Sequence, residues 1–197
     1  MDRSSAPSST ATGSGKSSPY TFGDSDLAGH RLALLAQLYE HPSRAFLRRC
    51  AGGSSDPGRG SPPVDLALDL GCGPGHTTRL IHSVVAATRT VGIDSSEAHL
   101  DRARAASQTS QGASALGVGG GRGISYCRHD LRAALLPFSL QADLVFARFI
   151  LTHLAEPGRI VRAWTELLSG CGVMLLQEIT RLECPHPTFV RYYQLVG

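Results

Sequence analysis

The 197-residue chain carries 19 basic and 16 acidic residues, a net charge of +3, and 42% hydrophobic residues, enough apolar content to bury one sizeable core. That charge is too small and its arginines too scattered for a nucleic-acid groove, and no apolar run reaches the ~18 residues that a membrane span needs. The cysteines Cys50, Cys72, Cys127, Cys171 and Cys184 include no C-x-x-C pair, so neither a zinc site, nor any other metal site, nor a disulfide framework is expected. Lys16 is the one lysine, which leaves the folded part without a Schiff-base residue, and the chain has no asparagine and hence no N-glycosylation acceptor. With no apolar leader at the N-terminus, the cytoplasm is the expected compartment.

Residues 1–19, rich in Ser, Thr, Gly, Ala and Pro, read as a disordered tail. Gly13-Ser14-Gly15-Lys16-Ser17 hints at a phosphate loop but fails as one, because Thr10 stands where the first glycine belongs. Residues 20–51 form an N-terminal helical segment. It starts at Ser25-Asp26, carries Leu27, Leu32, Leu34, Leu35, Leu38 and Tyr39, and is expected to break at Pro42 before resuming through Phe46 and Leu47. A Gly/Ser/Pro linker, 52–63, leads into a core over 64–180, within which 108–123 is a further loop of the same composition. Residues 181–197 form an incomplete C-terminal segment of an extended stretch and one short helix.

The run from Val64 to Gly75 is a buried strand delivered into a glycine turn. Asp69 stands two residues before Gly71, and Gly71, Gly73 and Gly75 fall on alternate positions rather than in the G-x-G-x-x-G spacing of dinucleotide loops. His76 occupies the place where a dinucleotide loop wants a small residue, and the Asp69 carboxylate repels phosphate but suits an ammonium or sulfonium. Thr90-Val91-Gly92-Ile93-Asp94 is a second strand ending in an acid. Asp94 can accept from both ribose hydroxyls, cap the helix that begins near Glu97, or leave the capping to Ser96 while it binds.

A third strand-like run, Ile124 to Leu131, contains Asp130. A fourth, Ala142 to Phe149, opens into Ile150-Leu151-Thr152-His153-Leu154, which sets Arg148, Phe149 and His153 beyond a strand's carboxyl end, where open parallel sheets bind ligands. A helix from Pro157 to about Leu168, closed by Gly170 or Gly172, and a fifth strand over Val173–Ile179 complete the alternation. Such alternation predicts an α/β fold with a doubly wound, mainly parallel sheet, Rossmann-like.

Asp69-x-Gly71-x-Gly73-x-Gly75, with the strands ending at Asp94, Asp130 and Arg148, resembles class I S-adenosylmethionine-dependent methyltransferases of the small-molecule type over residues 20 to about 180. The resemblance implies S-adenosylmethionine as cofactor, held by Asp69, Gly71, Cys72, Gly73, Gly75, Asp94, Ser95 and Arg148. It gives Asp130 the adenine amine and Leu131 the cover of the ring; a surface turn aspartate is the competing reading of Asp130. Arg148 and His153 are the candidate catalytic side chains, and a packed or cap-region histidine is the favoured competing reading of His153. The helical segment is expected either to lie over the cofactor pocket or to pack on the sheet.

The reaction implied is an in-line displacement that depends on alignment and exclusion of water. Neither an Asn/Asp-Pro-Pro-aromatic loop nor a Pro-Cys nucleophile is present, and Ala147-Arg148 stands where metal-dependent catechol enzymes carry an acid. A small organic acceptor methylated on oxygen, nitrogen or carbon is therefore expected. The resembled fold ends in an antiparallel sixth and seventh strand, whereas 18 residues follow Ile179. That implies a fold truncated after the fifth strand, and with it association through the open edge in a homo-oligomer or with a partner. It also keeps open a catalytically silent cofactor- or partner-binding module.

Overall fold

The computed structural model describes residues 25–51, 63–108, 123–133, 141–181 and 183–196. The expected tail with Lys16, most of the 52–63 linker and the loop over 109–122 lie outside the described residues. In chain order the elements are α1 (Asp26–Ala51), β1 (Leu66–Leu70), α2 (His76–Val85), β2 (Arg89–Asp94), α3 (Glu97–Gln108), β3 (Gly123–Arg128), β4 (Ala142–Arg148), α4 (Pro157–Trp164), β5 (Leu168–Gln177) and α5 (Pro187–Val196).

The strands form one parallel sheet in the order β3-β2-β1-β4-β5. The chain winds outward from β1 toward β3 and then returns to the other side of β1 at β4. The gap between the carboxyl ends of β1 and β4 is therefore the topological switch point, where such sheets open a ligand crevice.

Strand periodicity sorts the side chains between two faces. Leu66, Leu68 and Leu70 of β1 and Val145 and Ala147 of β4 pack with Ile160 and Trp164 of α4. Ala67 of β1 and Leu144 and Phe146 of β4 pack instead with Leu80 and Ile81 of α2, Leu175 of β5 and Leu47 of α1. The same alternation carries Asp69 and Arg148 onto the α2 face. Position in the strand thus sends a carboxylate and a guanidinium toward one helix.

The sequence expectation fails at two places. Helix α1 runs unbroken through Pro42. Proline removes the bond to the Leu38 carbonyl, but Leu38 and Pro42 are both exposed, where water serves that carbonyl, while Ser43 and Leu47 next to the break are fully buried and anchor the helix. Further on, α4 ends at Trp164 in a 3-10 turn over Thr165–Leu167, and Gly170 and Gly172 lie inside β5 instead of closing a helix. The register slips between Ala142 and Leu144, and a Cβ on Gly172 would collide with the Ala142 carbonyl oxygen, so glycine at 172 marks a bulge where two backbones meet.

Candidate active site

The turn after β1 is built on positive φ. Gly71, Gly73 and Gly75 adopt φ of +77°, +52° and +74°, values at which L side chains are strained. Crowding distinguishes them. An added Cβ at Gly71 would stand 2.9 Å from Ile150 Cδ1, and one at Gly75 would stand 2.5 Å from Tyr126 Oη and 2.8 Å from Ala103 Cβ. At Gly73 the one neighbour within 4 Å among the described residues is Leu32 Cδ1 of α1, at 3.8 Å. Gly75 is thus glycine for packing, whereas Gly73 presents bare backbone to the crevice beneath α1.

Asp94 organises this turn. Its Oδ2 accepts the Gly73 N–H at 2.8 Å and its Oδ1 accepts the Ser96 N–H at 2.9 Å, while Ser96 Oγ accepts the His99 N–H at 3.2 Å and caps α3. Each Asp94 oxygen keeps a further acceptor site for a ribose hydroxyl. The turn's amides are also fixed from β2, since Gly71 and Cys72 both donate to the Ile93 carbonyl, at 2.8 and 3.0 Å.

Asp69 is buried, and its Oδ2 accepts the Thr78 hydroxyl at 2.6 Å. Burial pushes its carboxyl up from 3.8 to about 6, against the Thr78 hydrogen bond and the positive Arg148, which pull it down; the nearby Asp94 adds to the rise. Burial, and then the negative charges of Asp69 and Asp94, also push the Cys72 thiol well up, and its sulfur packs with Leu100, Ala103 and Tyr126. Asp69 and Asp94 thus stand beneath the glycine turn near enough to feel each other's charge, with Arg148 acting on Asp69 from β4.

Arg148 closes the other side. Its Nη1 donates to Ser43 Oγ of α1 at 3.1 Å, and Ser43 donates in turn to Gln177 Oε1 at the end of β5, at 2.8 Å. Among the described residues no carboxylate lies within 4 Å of this guanidinium. Its neighbour Phe149 has φ +56°, a conformation that costs an aromatic residue strain, and stacks edge-on against Tyr39 of α1 with centroids 4.8 Å apart. The Ile150 and Leu151 amides that follow both donate to Glu178 Oε1, at 2.8 and 2.9 Å, which fixes the 3-10 turn Leu151–His153. Burial holds the His153 imidazole below its ordinary value, with Glu178 raising it and Arg31 lowering it.

The turn and the ends of β2 and β4 carry Asp69, Gly71, Cys72, Gly73, Asp94 and Arg148 to the carboxyl edge of the sheet around the switch point. Ser95 adjoins it, and its carbonyl accepts from Arg128 Nε at 3.2 Å. Asp130 lies in the tight turn after β3, next to His129, whose N–H donates to the Asp94 carbonyl at 2.9 Å, and its carboxylate is bonded to Arg132, which holds it below the usual range. Leu131 is buried in the core under α4. Sequence reasoning missed Thr78, Ser43, Gln177 and Glu178, each polar and each meaningful through a partner distant in the chain. Only Thr78, nine residues after Asp69 in the first turns of the helix behind the glycine turn, had a signal that could have found it.

Residues 68–176 match the family described as a methyltransferase domain. The chain is 34% identical over 114 residues to trans-aconitate 2-methyltransferase of Escherichia coli O157:H7, an alignment covering 58% of this chain and 39% of that protein. The chain thus spans well under half the length of the curated relatives it matches. Two solved structures share the fold. One is a SAM-dependent methyltransferase of Leishmania major, with TM-score 0.54, 18% identity, and coverage of 80% of this chain and 56% of that one. The other is coclaurine N-methyltransferase bound to N-methylheliamine and SAH, with TM-score 0.53, 14% identity, and coverage of 70% and 35%. A parallel sheet reversing at β4, a positive-φ glycine turn bonded to the Asp94 carboxylate at the end of β2, and a family match over residues 68–176 together place this chain in the class I S-adenosylmethionine-dependent methyltransferase family.

Proposed function

We propose that the protein transfers a methyl group from S-adenosylmethionine to a small organic acceptor bearing a carboxylate. The residues fit the donor: Gly73 offers open backbone, Asp94 has acceptor sites for the ribose, and Asp69 supplies negative charge where a sulfonium or ammonium would lie. When bound, S-adenosylmethionine supplies a methyl carbon already activated by a positive sulfur. The chain's work is then alignment and exclusion of water. Helix α1 serves both, since it covers Gly73 with Leu32 and reaches Arg148 with Ser43.

The observation that carries the acceptor class is Arg148: a guanidinium beside the crevice, held by a serine hydroxyl, with no carboxylate within 4 Å among the described residues. A planar fork of donors with no carboxylate in hydrogen-bonding reach among the described residues suits an incoming carboxylate. Support also comes from the relatives named for trans-aconitate. A carboxylate is ionised at neutral pH, so this reaction needs no general base from His153.

Methyl transfer from labelled S-adenosylmethionine to a panel of mono-, di- and tricarboxylates, with amines and phenols alongside, tests this reading. Turnover confined to the acids is expected, with KM for the acid raised at least tenfold in Arg148→Gln. Turnover confined to amines or phenols would overturn the acceptor class. Tight binding of S-adenosylhomocysteine with no turnover on any acceptor would instead identify a silent binding module.

A further inference from the structure

We propose that a second cleft, outside the donor crevice, binds a small polyvalent oxyanion of carboxylate or phosphate chemistry between Arg79 of α2 and Arg102 of α3. The cleft, of about 300 Å³, lies where the start of α1 meets α2 and α3 beside Pro74, and none of the residues assigned to the donor lines it. That volume is at the small end of ligand sites, which fits a compact anion.

Its charge is one-sided. Among the described residues, Arg79, Arg102, His30 and His76 line it with one carboxylate, that of Asp26. Arg102 Nη2 donates to Asp26 Oδ1 at 2.8 Å, and Asp26 is fully exposed, so this pair is open to exchange with a solute anion. The half-buried Arg79 is poorly served. Its Nη1 donates to the Pro74 carbonyl at 3.4 Å, its Nη2 meets His76 Nδ1 at 3.2 Å, and its other partner is the neutral Tyr126 phenol. Among the described residues no carboxylate lies within 4 Å of it. Burial, followed by the positive charges of Arg79 and Arg148, holds His76 below its ordinary value, so the imidazole adds no carboxylate-like partner for Arg79. Arginine forks on two different helices favour a ligand with at least two oxygen pairs, and monovalent chloride cannot bridge them.

This site does not depend on methyl transfer. Calorimetric titration of the full chain with citrate and, separately, with inorganic phosphate, each against sodium chloride of matched ionic strength, reads it directly. Saturable one-to-one binding of at least one anion is expected, weakened at least tenfold by Arg79→Gln and strengthened severalfold by Asp26→Asn, which removes the competing carboxylate and keeps the test alive if the arginine variant misfolds. S-adenosylhomocysteine should still bind the anion-loaded protein. Whether citrate or phosphate saturates assigns the carboxylate or phosphate source. No saturation above the chloride blank, unchanged affinity in both variants, or displacement of the anion by S-adenosylhomocysteine would overturn the proposal.

Discussion

Thr78 of α2 donates its hydroxyl to Asp69 of β1 at 2.6 Å, so a buried carboxylate under the glycine turn is held by the helix that the turn itself launches. The Asp69 carboxyl stands at about 6 against an ordinary 3.8, so the folded chain retains a proton that the unfolded chain releases between those values. Its contribution to stability is complete below pH 3.8, and about 3 kcal/mol is lost as pH rises through 6. Asp69→Asn, whose amide oxygen still accepts from Thr78, should be more stable than the natural protein at pH 8 and should lose the fall between pH 4 and 6. Urea denaturation across that range measures it, and curves of equal slope for the two proteins would contradict it.

A cationic donor favours ionised Asp69, so donor affinity should rise with pH through about 6. The Thr78 hydrogen bond and the Arg148 charge both lower that carboxyl, so Thr78→Val and Arg148→Gln should each move the midpoint to higher pH. Thr78→Ser, which keeps a hydroxyl, should leave it in place. Calorimetry with S-adenosylmethionine from pH 5 to 8 reads all three, and an unmoved midpoint in the valine variant would show that Thr78 does not control Asp69.

The three turn glycines should respond differently to alanine. At Gly73 the added Cβ meets only Leu32 at 3.8 Å, so Gly73→Ala should fold, losing about 1–2 kcal/mol to its positive φ, yet bind donor at least tenfold more weakly. At Gly75 the clash with Tyr126 and Ala103 adds a further ~1–3 kcal/mol, so Gly75→Ala should mainly lower stability. Thermal unfolding alongside S-adenosylhomocysteine titration separates the two effects. Equal donor affinity in Gly73→Ala and the natural protein would remove Gly73 from the crevice.

Leu47 is fully buried against Leu80, Ile81 and Phe146 and anchors the end of α1. Leu47→Ala should cost about 2–5 kcal/mol. Because α1 also carries Ser43 to Arg148, protease protection around residue 43 should fall with it. Limited proteolysis with and without donor follows that loss, and an intact α1 in the variant would show that Leu47 is not its anchor.

Much of the fold is legible because strand and turn chemistry are local. Asp69-x-Gly71-x-Gly73-x-Gly75 requires positive φ after a buried strand, and Asp94 ends the adjacent strand with its carboxylate on the turn. Boundaries that depend on packing are less legible. Pro42 is an effective breaker in isolation, yet the buried neighbours Ser43 and Leu47 hold the helix through it. Gly172 looks like a helix stop until the Ala142 carbonyl lies against it. Asp130 follows the strand that pairs with β2, and the partner of its carboxylate, Arg132 two residues on, comes from the same turn.

The amino-acid order alone determined the parallel alternation, the glycine turn and the acids at the ends of the first two strands, since these rest on periodicity and on backbone angles that few residues adopt. Tertiary structure decided which charges meet. It brought Thr78 to Asp69, and Ser43, 105 positions from Arg148, to the guanidinium at the end of β4. It also set Arg79 and Arg102 on the walls of one cleft. Electrostatic energies depend on distance and burial, and neither exists until the chain has folded.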